Sequence, residues 1–141
     1  MKKLYTAKAT ATGGREGSVS TEDGVIDFNL SVPKGMGGKG GDGANPEQFF
    51  ASAYAACFGG ALQAIAGKKK QDLGDFSVSA SISFCEDPEG GFMLHAVIDS
   101  YLPTLNVEQG EDLINQAHEI CPFSKATRDN IDVTLNLMLD E

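Results

Sequence analysis

The segment from Asn45 to Lys70 constrains the fold most, because it is typical of one long buried helix. Its sequence is NPEQFFASAYAACFGGALQAIAGKKK. Asn45 and Pro46 suit the N-cap and the first helical position, and the terminal lysines suit a helix C-terminus. No charged side chain lies between Glu47 and Lys68, so we expect the helix to be buried on all sides. Polar residues and paired glycines interrupt the apolar run, which argues against a membrane-spanning segment.

The length and charge of the chain limit its class. A chain of 141 residues predicts a single domain over residues 1–141. Twenty acidic and eleven basic residues give a net charge of −9, which argues against partners such as nucleic acids or anionic membranes. The first residues lack the apolar region of a secretory signal, so we expect a cytoplasmic protein.

The remaining hydrophobic patterns predict strands before and after the central helix. Turn signals separate the first three strands, which indicates an antiparallel meander, and a glycine-rich loop at 33–44 follows it. After the central helix, two alternating segments form a hairpin, and two helices then precede a last strand. The predicted strands are 3–12, 15–20, 25–32, 75–86, 92–102 and 131–139. The later helices begin after Asn106, with Gln109 at the capping-box position, and at Pro122. The apolar stripe of the first of these two helices is Leu113, Ile114, Ala117, Ile120 and Cys121. This order, βββ-α-ββ-αα-β, predicts an α+β fold with a mostly antiparallel sheet packed on buried helices.

Three cysteines, Cys57, Cys85 and Cys121, are the first candidates for chemistry. In a reducing compartment an odd number of cysteines indicates free thiols, metal ligands or redox catalysts. No CxxC pair or tight His/Cys cluster is present, so we expect no metal site and no bound cofactor. Cys85 lies on the serine-rich face of its strand, with nothing nearby to activate it.

Cys121 and Cys57 have different predicted surroundings. Cys121 lies where one helix ends and Pro122 begins another, and unpaired N–H groups there favour a thiolate. The alternative is a small residue that fills a helix junction. Cys57 has no helix terminus to help it, so burial alone would raise its pKa. A nucleophilic Cys57 would need a cation, for which Arg15 is the best candidate, with Glu47 to orient it. The alternatives are a solvated turn arginine and a carboxylate that complements the helix dipole.

Several large apolar side chains are typical of a core, and they would make any pocket within that core apolar. Tyr54 is one of these predicted core residues. The candidate pocket residues are Phe49, Phe50, Phe58 and Phe123, with Met36 from the glycine-rich loop.

Three motifs, in order and nearly end to end, resemble the OsmC/Ohr family. They are LYTAKATATGGREG (4–17), GDGANPEQFFASAYAACFGGAL (41–62) and HEICPFSKATRDNIDV (118–133). The NPEQ and AACF segments are similar to the whole superfamily. The GGR and CPFS-x-ATR-x-N segments resemble its organic hydroperoxide resistance (Ohr) branch.

The resemblance implies a thiol peroxidase that reduces alkyl and fatty-acid hydroperoxides. By the same resemblance, Cys57 is the peroxidatic cysteine, Cys121 the resolving cysteine, Arg15 the catalytic arginine and Glu47 its carboxylate partner. A Cys57 sulfenic acid and then a Cys57–Cys121 disulfide would form. The implied reductant is an external dithiol such as the dihydrolipoyl group of a lipoylated protein.

The resemblance also implies an intertwined homodimer, in which two six-stranded sheets wrap two central helices. An all-apolar helix needs more cover than one such sheet, and Gly59-Gly60 suits the close approach of another backbone. Glu47 and Cys57 are ten positions apart, about 15 Å along a straight helix. We therefore hypothesise that Arg15 or Glu47, or both, reach Cys57 from the partner chain.

Two other classes of function fit the same pattern. The first is a non-catalytic dimer that senses redox state or binds a small ligand. The second is a structural or chaperone-like dimer whose buried thiols are inert.

Overall fold

Six strands and three α-helices follow one another in the predicted order, which confirms the α+β class. The computed structural model describes all 141 residues, and they divide into two units, residues 1–49 and 50–141. The single domain expected from the chain length stays a prediction. The elements are β1 (Ala9–Thr12), β2 (Ser18–Thr21), β3 (Asp27–Asn29), α1 (Pro46–Lys68), β4 (Ser77–Glu86), β5 (Phe92–Tyr101), α2 (Val107–Ile120), α3 (Pro122–Thr127) and β6 (Asp132–Met138).

The first unit contains the predicted antiparallel meander, in the order β1-β2-β3. Val19 pairs with Ala11 on one side and with Phe28 on the other. The strands are shorter than predicted. The third strand ends early because the chain changes partner, since Leu30 forms a parallel bridge with Ala44 beyond it.

The glycine-rich segment folds back on the end of this meander. The backbone N–H of Gly43 donates to Ser31 Oγ at 2.9 Å, and that of Gly40 donates to the carbonyl of Val32 at 2.9 Å. A Cβ added at Gly43 would lie 2.5 Å from the backbone carbon of Leu30. Glycine at position 43 is therefore required by close packing of two backbone segments.

The second unit contains the other sheet, in the order β4-β5-β6. β4 and β5 form the predicted antiparallel hairpin, whereas β6 pairs with β5 in parallel. Val78, Ala80 and Ile82 pack on the core, and the alternating serines Ser79, Ser81 and Ser83 are exposed. Within one chain, the six expected strands form two three-stranded sheets. The two six-stranded sheets expected of the homodimer stay a prediction.

α1 begins with the predicted capping box, in which the side chains and backbones of Asn45 and Gln48 bond reciprocally. Seven of its 23 residues are buried. The expectation of burial on all sides is not met within one chain, because Ala56, Gly60 and Ala64 are exposed. By length and composition α1 could cross a membrane, a test that the core helix of a soluble protein also passes.

α2 also begins with its predicted capping box, formed by Asn106 and Gln109. Leu113 and Ala117 have no exposed surface, as the apolar stripe predicted. Ile120 was assigned to the same stripe, but it is 51% exposed. The reason is that α2 ends there and the chain turns, so that the next residue, and not Ile120, faces the core.

Candidate active site

Cys57 and Cys121 lie side by side in the second unit. Their Sγ atoms are 3.6 Å apart, and both thiols are free. Cys57 is supplied by the middle of α1, and Cys121 is the residue shared by the end of α2 and the start of α3. A disulfide needs an S–S distance of about 2.05 Å, so the two thiols can form one after a small movement.

Three features of its surroundings shift the pKa of the Cys57 thiol, and they act in opposite directions. Burial raises its pKa, and the neighbouring Cys121 raises it further, whereas a hydrogen bond from the backbone N–H of Phe123 lowers it. The N–H of Phe123 is available because it lies in the first turn of α3, where backbone donors have no partner within the helix. This corrects the expectation that no helix terminus assists Cys57.

Arg15 and Glu47 form a bidentate ion pair in the first unit. Arg15 Nη1 donates to Glu47 Oε2 at 2.9 Å, and Nη2 donates to Oε1 at 2.8 Å. Arg15 lies in a short turn after β1, and Glu47 lies in the first turn of α1. The hydrogen bonds from Arg15 lower the pKa of Glu47, so the carboxylate is ionised at neutral pH. The pairing that the sequence suggested is present, and a catalytic role for either residue stays a prediction.

An apolar cavity of about 530 Å³ lies beside this ion pair, within the first unit. Arg15 is its charged lining residue, and Phe49 is its aromatic one. Phe28 packs edge-on against Phe49, with 5.7 Å between the ring centroids. The other lining residues are Ala9, Ala11, Gly14, Val19, Ile26, Leu30 and Pro46.

The other predicted pocket residues have different surroundings. Phe58 is completely buried in the core. Phe50 and Phe123 pack around the ring of Tyr54, with centroid distances of 6.3 and 5.9 Å to it. Met36 is half-buried in a short turn of the glycine-rich segment. A role for these four residues in binding a substrate stays a prediction.

Sequence reasoning missed a buried hydroxyl cluster near the two thiols. Tyr54 Oη lies 2.8 Å from Ser124 Oγ and 3.3 Å from Thr127 Oγ1. His118 Nδ1 lies 2.9 Å from Ser124 Oγ. Tyr54 was predicted to be an ordinary core residue. A signal was available, since a buried tyrosine needs a hydrogen-bond partner for its hydroxyl.

Cys85 lies on β4, where its thiol makes a long contact of 3.7 Å to the carbonyl of Ser83. No group of three or more His, Cys, Asp or Glu side chains is arranged to hold a metal ion.

Comparisons with known proteins show the family to which the chain belongs. Residues 38–136 match the family described as OsmC-like protein. The organic hydroperoxide resistance protein of Xanthomonas axonopodis pv. citri is 48% identical over 137 residues, which cover 96% of each chain. OhrB of Bacillus subtilis is 44% identical and is matched over 95% of this chain and 98% of its own.

A solved structure shows that the fold is shared as well. The organic hydroperoxide resistance protein of Elizabethkingia anophelis, crystallised with thiocyanate bound, superimposes with a TM-score of 0.92. It is 42% identical, and the match covers 100% of both chains. The family match and these full-length relatives together show that the chain belongs to the OsmC/Ohr family.

Proposed function

We propose that this protein is a thiol-dependent peroxidase that takes part in organic hydroperoxide resistance. It would reduce alkyl and fatty-acid hydroperoxides to alcohols. The observation that carries the proposal is the 3.6 Å separation of the Cys57 and Cys121 sulfur atoms. The names of the full-length relatives support the substrate class.

In the first step, the Cys57 thiolate attacks the distal oxygen of the hydroperoxide. The O–O bond breaks, the sulfur is oxidised to a sulfenic acid, and the alkoxide leaves as an alcohol after it takes up a proton. The N–H of Phe123 stabilises the thiolate. Since burial opposes this effect, the reaction needs a further positive charge near the sulfur.

In the second step, the Cys121 thiol attacks the sulfenic acid. The S–O bond breaks, an S–S bond forms, and water leaves. An external dithiol then reduces the disulfide through a mixed disulfide. We propose a dihydrolipoyl group on a lipoylated protein as this reductant, with no bound cofactor, in the cytoplasm.

The Arg15 guanidinium, held in place by Glu47, would supply the missing positive charge. Two hydrogen bonds to one ionised carboxylate hold the guanidinium in a fixed orientation. We propose that the pair acts on Cys57 of the other subunit in a homodimer. This arrangement is supported by helix geometry, because ten residues of α1 separate Glu47 from Cys57, about 15 Å of rise.

The apolar cavity beside Arg15 would favour hydroperoxides with hydrocarbon tails. Its walls offer aliphatic and aromatic carbon and almost no hydrogen-bonding surface apart from the guanidinium. Burial of apolar surface on binding favours an alkyl chain, whereas hydrogen peroxide would gain little from it. We expect the kcat/KM for cumene hydroperoxide to exceed that for hydrogen peroxide.

A second candidate is a non-catalytic dimer that senses redox state or binds a small ligand. Burial of Cys57 favours it, because a raised thiol pKa leaves less thiolate at neutral pH and slows oxidation. The two candidates differ in turnover, since a sensor is oxidised once and stays oxidised until it meets its partner.

Steady-state peroxide consumption with dihydrolipoamide tests the proposal. Wild-type protein should turn over many times, and Cys57→Ser should consume no peroxide. Cys121→Ser should be oxidised without recycling, which leaves Cys57 open to overoxidation. Cys85→Ser is the matched control and should behave like wild type. A wild-type protein that stops after one equivalent would favour the sensor, and full turnover by Cys121→Ser would contradict the proposed resolving step.

A further inference from the structure

We propose that the buried hydroxyl cluster of Tyr54, Ser124 and Thr127, extended by His118, positions α3 for thiol chemistry at Cys57 and Cys121. This role of the cluster rests on the proposed function of the two cysteines. It adds a set of hydrogen bonds that holds the two cysteines in place. Its members are positioning residues, because they act through α3 and do not touch the sulfur atoms.

The cluster joins three helices at one buried point. Tyr54 lies on α1, Ser124 and Thr127 lie on α3, and His118 lies near the end of α2. Tyr54 and Ser124 have no exposed surface, and Thr127 is 2% exposed. A buried hydroxyl group without a hydrogen-bond partner destabilises the fold, so the helices are held where these groups can meet.

Each hydroxyl group has one proton, and this determines the direction of every hydrogen bond in the cluster. Thr127 Oγ1 donates to the carbonyl of Ser124 at 3.1 Å, so it can only accept from Tyr54. Tyr54 has then used its proton and must accept from Ser124. Ser124 in turn must accept from His118. The four bonds can therefore all form only if His118 is protonated at Nδ1.

The surroundings of His118 favour a neutral ring, and the hydrogen-bond pattern then requires the single ring proton to lie on Nδ1. Burial lowers the pKa of His118 and the nearby Arg128 lowers it further, whereas Glu119 raises it. Protonation of the ring at low pH would add a proton at Nε2 and would leave the Nδ1–H donor in place. The hydrogen-bonded chain is thus the same in both charge states of His118.

The cluster lies one helical turn from each thiol. Tyr54 precedes Cys57 by three residues on α1, and Ser124 follows Cys121 by three residues. Phe123 lies between Cys121 and Ser124 in the sequence, and its ring packs on Tyr54 with a centroid distance of 5.9 Å. When the hydroxyl groups hold α3 against α1, they also keep the N–H of Phe123 directed toward the Cys57 sulfur. They keep the Cys121 sulfur within reach of Cys57 as well.

This placement matters most in the disulfide-forming step. The Cys121 thiol displaces water from the Cys57 sulfenic acid, and the rate depends on how often the two sulfur atoms are aligned. A loosened α3 would leave the sulfenic acid exposed to a second peroxide molecule, which would oxidise it irreversibly to the sulfinic acid.

Tyr54→Phe is the sharpest test, because it keeps the ring and removes only the hydroxyl. We expect the rate of Cys57–Cys121 disulfide formation after one equivalent of cumene hydroperoxide to fall about tenfold, because the variant loses the buried hydrogen bonds of the Tyr54 hydroxyl to Ser124 and Thr127. With excess cumene hydroperoxide, which supplies the second oxidising equivalent, sulfinic acid at Cys57, measured by mass, should rise. Tyr101→Phe removes a tyrosine hydroxyl elsewhere and is the matched control.

A second readout does not depend on peroxide chemistry. In a Cys85→Ser/Cys121→Ser background, the pH profile of Cys57 alkylation by iodoacetamide reports its thiolate. Tyr54→Phe should move this profile to higher pH, since the N–H of Phe123 would be less well aligned. A loss of stability alone would leave the profile unchanged.

Further variants separate the possible outcomes. Ser124→Ala should reproduce both effects, and the double variant with Tyr54→Phe should show less than the sum of the two, because both single variants lose the Tyr54–Ser124 hydrogen bond. If Tyr54→Phe does not fold by circular dichroism, Ser124→Ala and Thr127→Val carry the same expectation. Wild-type rates and profiles in the folded variants would overturn the positioning role. A wild-type protein that forms no disulfide would instead overturn the proposed peroxidase, while the alkylation profile would still test the cluster.

Discussion

The reactivity of Cys57 is decided by a few neighbours whose effects oppose each other. Burial raises the pKa of the thiol, and the hydrogen bond from the N–H of Phe123 lowers it. The Arg15 guanidinium, held by Glu47, is the positive charge that we propose to lower the pKa of the Cys57 thiol further. Glu47 is the more buried partner, since its side chain is 13% exposed and that of Arg15 is 38% exposed. The carboxylate is therefore the better place to test the pair.

Glu47→Gln should slow the oxidation of Cys57 by an alkyl hydroperoxide roughly tenfold, because an amide cannot hold the guanidinium through two charge-assisted hydrogen bonds. Stopped-flow measurement of the second-order rate constant checks this. Glu16→Gln is the matched control, since Glu16 is an exposed acid next to Arg15 in the sequence. An unchanged rate constant in Glu47→Gln would mean that another group activates the thiol.

The same variant has a predicted pH dependence. Pairing lowers the pKa of Glu47 below its usual value of 4.5 in the folded state. A lowered carboxyl pKa stabilises the fold fully above the unfolded pKa, and this stabilisation is lost as the pH falls through the folded pKa. Wild type should thus be more stable than Glu47→Gln above about pH 4.5, and urea unfolding should show the difference shrinking at lower pH.

At the scale of helices and strands, local signals in the sequence predicted the elements well. Asn45 and Asn106 both begin helices through reciprocal capping boxes, because these bonds involve residues only three positions apart. Long-range partners were not predictable in this way. The parallel pairing of β6 with β5, the early end of β3 at Asn29 and the cluster around Tyr54 depend on which distant segments meet. The candidate cysteines were found through motifs, whereas their supporting hydroxyl groups carry no such local pattern.

α1 offers a test of how its exposed face is used. A Cβ added at Gly60 meets nothing within 4 Å in the chain, and one added at Gly59 meets Phe76 and Val78 only at ordinary contact distances. The close backbone approach expected at these glycines is thus not made by this chain. The proposed partner subunit would supply it at Gly60, which is exposed.

Gly60→Ala therefore has opposite expected effects on stability, depending on whether or not another helix packs closely on Gly60. In an isolated helix, alanine stabilises by about 1 kcal/mol relative to glycine. If another helix packs closely on Gly60, the added methyl group should instead lower the melting temperature and weaken the dimer. We expect this second result, measured by thermal unfolding and sedimentation. Gly67→Ala, at an exposed position near the end of α1 with nothing within 4 Å of its added Cβ, is the matched control and should stabilise. A stabilised Gly60→Ala dimer would argue against close packing there.

For the whole molecule, the main question is which chain of the proposed homodimer supplies each part of the proposed active site. The two thiols come from one chain, since Cys57 and Cys121 are in contact within it. Arg15 and Glu47 also come from one chain, where they form their ion pair. The proposal that the pair serves the partner's thiols makes each site a combination of two intact halves. Two chains with different inactivating substitutions could then form one complete site in a mixed dimer.

Co-refolding an Arg15→Ala chain with a Cys57→Ser chain tests this arrangement directly. Each variant alone should be nearly inactive. In a mixed dimer, Cys57 of one chain would meet Arg15 of the other, so an equimolar mixture should recover about a quarter of wild-type peroxidase activity, because half of the dimers are mixed and each has one complete site. A mixture of Cys57→Ser and Cys121→Ser chains should recover no turnover, since the two thiols belong to the same chain. If the first mixture also gained nothing while mixed dimers were present by mass, Arg15, Glu47 and Cys57 of one site would all belong to one chain.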